Sequence, residues 1–124
     1  MQYLLDTNAV VYYIGGEPRA LETLIPIMQS DASIILPSVV ITELWSGKYT
    51  PSVEIKVIEE FIASLLILSL DGQLARSAGI IRRNYNLSIG DAMIAATALA
   101  WGATLLTRNV RDFKHVPNLS IQQV

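Results

Sequence analysis

Apolar residues along this chain follow two rhythms. Short unbroken runs at Tyr3 to Leu5, Ser33 to Leu36, Leu66 to Ser69 and Thr104 to Thr107 have the length and character of buried strands. The second of these is stopped by Pro37, and Leu119 to Gln122 reads as a fifth strand at the edge. Between the runs, apolar residues recur at helical spacing. Asn8 to Ile14 predicts a helix closed by Gly15-Gly16. Pro18 opens a second at about Arg19, with Leu21, Leu24, Ile25 and Met28 on one face and Pro26 as a point of kinking. Ser38 is placed to cap a third, running to about Ser46. Pro51 starts a fourth, to about Leu65, with Val53, Val57, Ile58, Phe61 and Ile62 on one face. Asp71 caps a fifth that Asn84-Tyr85-Asn86 breaks, and Ser88 opens the Asp91–Trp101 helix that Gly102 ends.

Strands that alternate with helices, and are themselves short and apolar, imply an α/β fold with a parallel sheet covered on both faces. No repeat, low-complexity tract or linker interrupts the pattern, so residues 1–124 read as one domain. In such sheets ligands bind beyond the carboxyl ends of the strands. Composition then narrows the chemistry. Hydrophobic residues make up 52% of the 124, charged ones 16%, and mean hydropathy is +0.42. So apolar a chain of this size predicts a buried subunit interface, most simply a homodimer. The absence of Cys removes disulfides, zinc–thiolate sites and Cys nucleophiles, and the lone His115 removes any mechanism that needs a His pair. A net charge of −2 gives no global basic footprint for nucleic acid. MQYLLD lacks the basic start of a signal peptide. The longest apolar run, Ala92 to Leu106, contains Thr97, Gly102 and Thr104 and falls short of the roughly 18–20 residues of a membrane span. The expectation is a soluble, cytoplasmic protein without a membrane partner.

Four acidic residues sit where the chain changes direction: Asp6 in LLDTN, Glu43 in ITELW, Asp91 in IGDAMIAATA and Asp112 in TRNVRDF. Apolar segments flank each one, and a carboxylate beside a core-forming segment is costly unless something pairs with it. Four that converge repel one another unless a cation lies between them. Each also has a plain explanation. Asp6 reads as a helix cap, with Thr7 and Asn8 as polar company. Glu43 reads as a solvated helix acid, although Val39, Val40, Leu44 and Trp45 place it at the border of an apolar face. Asp91, three residues after Ser88, fits a first-turn acid favoured by the helix dipole. It precedes AMIAATALA, which is small and apolar all round and predicts a buried helix. Asp112 is an ordinary loop Asp, and Asn109 is an alternative fourth ligand. What the plain explanations leave out is the common placement of all four at one edge of the sheet.

In this order and with these neighbours, the LLDTN start, the SVVITEL segment and GDAMIAATALAWGATLLTRNVRDF resemble the PIN domain family, in particular VapC-type toxin ribonucleases, from Tyr3 to about Pro117. The resemblance implies a three-layer α/β/α sandwich around a mainly parallel sheet, and an acidic site that holds Mg²⁺ or Mn²⁺ and cleaves RNA. By motif, the metal-binding and catalytic acids are Asp6, Glu43 and Asp91, with Asp112 as the fourth. Relatives in the family carry an Asp where this chain has Asn109, so Asn109 and Asp112 compete for the fourth position. An antitoxin protein is the implied partner, with Trp45, Tyr49 and nearby helices as candidates for its groove.

Hard oxygen ligands suit Mg²⁺ and Mn²⁺, and metal-activated water needs no Ser or His nucleophile. Thr7 and Thr107 are placed to orient water or phosphate, with strand-end capping as the plain alternative. An acidic site repels RNA until metal loads it, so Arg108, Arg111 and Lys114, which flank the fourth acid, are expected to help it bind, with a solvated loop surface as the plain alternative. Arg82 and Arg83 end a helix, where the dipole favours cations in any case. Two other readings compete. An aspartyl-nucleophile phosphatase also begins strand–Asp but needs a second Asp two residues on, where this chain has Asn8. A non-catalytic PIN-like binding module would not need the acid set.

Overall fold

Backbone pairing in a computed structural model, which describes residues 1–47 and 55–124, joins the short apolar runs into one sheet. The strands are β1 (Gln2–Leu5), β2 (Ser33–Pro37), β3 (Leu66–Leu68), β4 (Thr104–Thr107) and β5 (Ile121–Gln123). Every pairing is parallel and the order is β3-β2-β1-β4-β5. Leu4 stands opposite Ile35 on one side and Leu105 on the other, and all three are completely buried. The helices are α1 (Thr7–Ile14), α2 (Pro18–Met28), α3 (Ser38–Trp45), α4 (Ile55–Ala63), α5 (Gly72–Tyr85), α6 (Ile89–Trp101) and α7 (Val110–Phe113). From β1 the chain steps outward to β2 and β3, then returns across the sheet to β4 and β5. Right-handed crossovers therefore put α1 to α4 on one face and α5 to α7 on the other, the three-layer α/β/α arrangement. The reversal falls between β1 and β4, which makes the carboxyl ends of those two strands the crevice of the fold.

Local chemistry explains most element ends. Asp71 caps α5 by accepting from the Leu74 amide at 2.8 Å, and Ser88 caps α6 by accepting from Asp91 at 3.1 Å. Asn86 closes α5 in the left-handed region (φ 56°), which Asn tolerates, and Gly102 closes α6 there (φ 61°). Along α6, Ala92, Ala95, Ala96 and Ala98 are buried with Ile94, so the helix runs through the core, as its all-round apolar sequence predicts.

Several expectations are corrected. Ser38 does not cap α3: Pro37 takes the cap position without a side-chain bond, and the Ser38 hydroxyl accepts instead from the Leu70 amide at 3.2 Å. Pro37 does not stop β2 but is its last residue, opposite Leu68, where a missing N–H costs least. β3 is an edge strand, and its Leu66 and Ile67 are exposed because only β2 flanks them. On α2 the buried stripe is Ala20, Leu24 and Ile27, leaving Ile25 exposed, because Ala20 rather than Leu21 sets the phase. The helix continues through Pro26 to Met28. On α4, Ile58 and Ile62 are buried but Val57 is exposed. The four-residue α7 is too short for periodicity to reveal. Tyr49, Pro51 and Val53 lie outside the described residues.

Truncation should separate core from edge. Leu4→Ala is expected to cost about 2–5 kcal/mol in urea denaturation, and Leu66→Ala no more than about 0.5 kcal/mol. Equal losses would contradict the placement of these strands.

Candidate active site

At the carboxyl end of β1, Asp6 is buried yet fully engaged. Its backbone is extended (φ −81°, ψ 173°), and its Oδ1 accepts from the Ala9 amide at 2.8 Å, capping α1. Its Oδ2 accepts from the Thr107 hydroxyl at the end of β4. Thr107 in turn accepts from the Asn109 amide at 3.0 Å. One side chain thus ties the two strands together at the point where the sheet order reverses. The cap read from sequence is real, but it uses only half of the carboxylate.

Glu43 reaches the same crevice from the middle of α3. The Thr7 hydroxyl, in the first turn of α1, donates to its Oε1 at 2.7 Å. On its other side is Gly90, in the first turn of α6. A Cβ there would lie 3.2 Å from Glu43 Oε2, and the three nearest atoms it would meet all belong to that carboxyl group. Gly90 has no positive φ to require glycine; what its missing side chain provides is room for Glu43. Asp91, the next residue, is half-buried in the same turn. Asp6, Glu43 and Asp91 line one polar cavity of about 140 Å³ with Thr7, Asn8, Ser88 and Asn109, and Ile94 is its only apolar lining side chain.

The carboxylates press on one another electrostatically. Burial pushes Asp91 up to about 6, with repulsion from Asp6 and Glu43 adding to it, a smaller push from Asp112, and the Ser88 bond working the other way. Burial also raises Asp6, opposed by the Thr107 hydroxyl and the Ala9 amide and assisted by Glu43, with Arg108 opposing it weakly. Among the described residues, no three His, Cys, Asp or Glu side chains come close enough to hold an ion unaided. An all-oxygen set of this kind fits a hard cation that keeps several of its own waters.

The residues singled out from sequence separate at the fourth position. Asn109 lines the cavity; Asp112 is exposed, lies outside the lining, and its Oδ2 accepts from Asn109 Nδ2 at 2.9 Å. Arg108, expected among the basic residues offered to RNA, is already occupied. It is ion-paired with Glu17, donates through Nε to the Val124 carbonyl at 2.9 Å, and lies 4.1 Å from the centre of the Tyr12 ring. Its bond holds Glu17 below the usual carboxylate range. Arg111 and Lys114 are exposed. Sequence reasoning missed Gly90. The available signal was a glycine inside a predicted helical turn, where glycine is a poor choice.

The raised Asp91 carries a sign that can be checked. Its proton is held more tightly in the folded than in the unfolded state, so its ionisation costs stability as pH rises from about 3.8 to about 6, and the cost is constant above. The group is only half-buried, so solvent screening reduces the loss to about 1–2 kcal/mol. In chelator, Asp91→Asn should be more stable than the native protein at pH 7.5 and equal to it near pH 4, by urea midpoints. An Asn variant no more stable at pH 7.5 would contradict the electrostatic picture.

Comparison with known proteins gives the family. The family model described as PIN domain matches residues 3–119. Ribonuclease VapC2 of Rickettsia felis is 31% identical over 131 residues, covering 98% of this chain and 97% of its own. Ribonuclease VapC2 of Haemophilus influenzae is 32% identical over 124 residues, covering 94% and 92%. The solved structure of VapBC2 from Rickettsia felis bound to a DNA fragment from their promoter contains a chain that superposes with a TM-score of 0.83 at 27% identity. The match covers 100% of this chain and 99% of that one. With a family match over residues 3–119 and relatives above 30% identity that cover nearly all of it, this chain belongs to the PIN domain family.

Proposed function

We propose that the protein is a Mg²⁺- or Mn²⁺-dependent endoribonuclease, the toxin of a type II toxin–antitoxin pair. The observation that carries the proposal is the meeting of Asp6, Glu43 and Asp91, from three separate elements, in one small polar cavity at the reversal point of the sheet. The names of similar proteins, ribonucleases of the VapC group, point the same way.

In this reading Asp6, Glu43 and Asp91 hold the cation, and Asn109 supplies a neutral oxygen as the fourth donor. Asp112 accepts from Asn109 Nδ2, which leaves the amide oxygen as the atom available to a cation. When bound, the metal supplies an activated water and offsets charge on the scissile phosphate. Thr7 fixes the orientation of Glu43, and Thr107 that of Asp6. Both oxygens of Asp6 accept hydrogen bonds, which suits a positioned ligand and disfavours an aspartyl nucleophile. The antitoxin partner follows from the VapC resemblance and from the solved VapBC2 assembly that contains a similar chain. A homodimer in the cytoplasm belongs to the same proposal; exposed Trp101, Ile80, Leu66 and Ile67 leave apolar surface for a second copy.

Asp6→Asn, Glu43→Gln and Asp91→Asn are each expected to lower Mg²⁺-dependent cleavage of total RNA by more than about 100-fold, since even the partners of metal ligands are worth 10–100-fold. The circular dichroism spectrum should stay native. Asn109→Ala should cost more than Asp112→Ala. Full activity in any of the first three variants removes that residue from the site, and cleavage that survives chelation removes the metal. The room at Gly90 gives a separate test. Gly90→Ala should weaken Mn²⁺ binding in calorimetry by about tenfold without lowering the melting temperature, because alanine is the better helix former. Loss of stability with unchanged Mn²⁺ affinity would show that Gly90 serves the fold instead.

A further inference from the structure

A second and larger concavity, about 420 Å³, runs along the α5–α6 hairpin. It shares α6 with the acidic cavity. Ser88, Asp91 and Ile94 face the acids, whereas Ile89, Ala92 and Met93 line this groove on the opposite flank of the same turns. Arg82 and Arg83, from the last turn of α5, complete it. Across its 14 residues α5 carries Arg76, Arg82 and Arg83 and no acid, in a chain of net charge −2. Among the described residues the one ion pair is Arg108–Glu17, so Arg82 and Arg83 have no ionic partner there.

We infer that this groove receives the single-stranded RNA next to the cleaved bond, with Arg82 and Arg83 on a phosphate and Ile89 and Met93 under a base. The inference rests on the ribonuclease reading of the acidic cavity and extends it. A polyanion approaching three carboxylates needs cations nearby, and the cavity lining contains none. Arg108, the nearest candidate by sequence, is neutralised by Glu17. The barrier between the two concavities is the first turn of one helix, about 10 Å across. A strand laid over that turn reaches both, and the turn itself carries the positive end of a helix dipole. Ile89, 56% exposed beside so polar a cavity, offers apolar area that a base can cover. Charge complementarity with a phosphate backbone and a place one helix turn from the acidic cavity favour RNA over a protein occupant.

The test uses a fluorescein-labelled single-stranded RNA of mixed sequence, bound to protein carrying Asp6→Asn, with cleavage kinetics measured in the otherwise native chain. Arg82→Gln combined with Arg83→Gln should raise KM about tenfold with kcat unchanged, and should make the slope of log affinity against log salt shallower by about 1.4, two contacts at about 0.7 each. Ile89→Ser should raise KM and leave the salt slope alone. Arg76→Gln, outside the groove, should change neither. The groove proposal fails if the double variant binds and cleaves RNA like the native chain. It fails also if Arg76→Gln alone reproduces the loss, or if the variants keep RNA affinity but halve the mass in light scattering or release a co-purified protein. A native chain that cleaves no RNA with Mg²⁺ or Mn²⁺ overturns the ribonuclease reading itself. Native cleavage with unaffected groove variants overturns the groove alone.

Discussion

One buried carboxylate ties the sheet to the site. Asp6 ends β1, caps α1 through one oxygen and accepts from Thr107 at the end of β4 through the other. β1 and β4 are neighbours in space but belong to opposite halves of the winding, since the chain leaves β1 in one direction and comes back to β4 from the other. Their carboxyl ends are therefore where the covering helices part. A charge buried there is tolerable because its hydrogen bonds offset part of the desolvation. The same bonds fix where the acid points.

Glu43 and Asp91 join Asp6 only because two helix starts are shaped to admit them. Thr7 holds Glu43 from one side, and Gly90 leaves space for it on the other. Behind Asp91, the alanine-rich turns of α6 pack into the core and anchor the first turn that carries the acid. Burial raises the proton affinity of Asp91 and Asp6, and repulsion from Glu43 adds to it in both. In the proposed function that strain is relieved by a divalent cation, so the chain gives up some metal-free stability for a site that favours the ion.

The outer residues sort by what they touch. Arg108 looks like an RNA contact in sequence but is spent on Glu17, Val124 and Tyr12, joining the end of β4 to the α1–α2 corner and the end of the chain beside β5. Asp112 lies outside the cavity lining and bonds Asn109, which lines it. Position in the sequence could not decide either case, because Arg108 lies in the turn after β4 and Asp112 in a four-residue helix too short for its phase to tell which way a side chain faces.

By itself the sequence determined the α/β class, the parallel sheet and most element boundaries, and it marked three acids as candidates for one site. Those features rest on local physics: short apolar runs, 3.6-residue periodicity, and caps such as Asp71 and Ser88 that bond within three residues. Tertiary structure alone decided that β3 is an exposed edge, that Ser38 bonds across to Leu70, that Asn109 rather than Asp112 faces the cavity, and that Gly90 makes room for Glu43. Each of these depends on contact between residues far apart in the chain or on which way a loop turns, and neither leaves a periodic trace in the sequence.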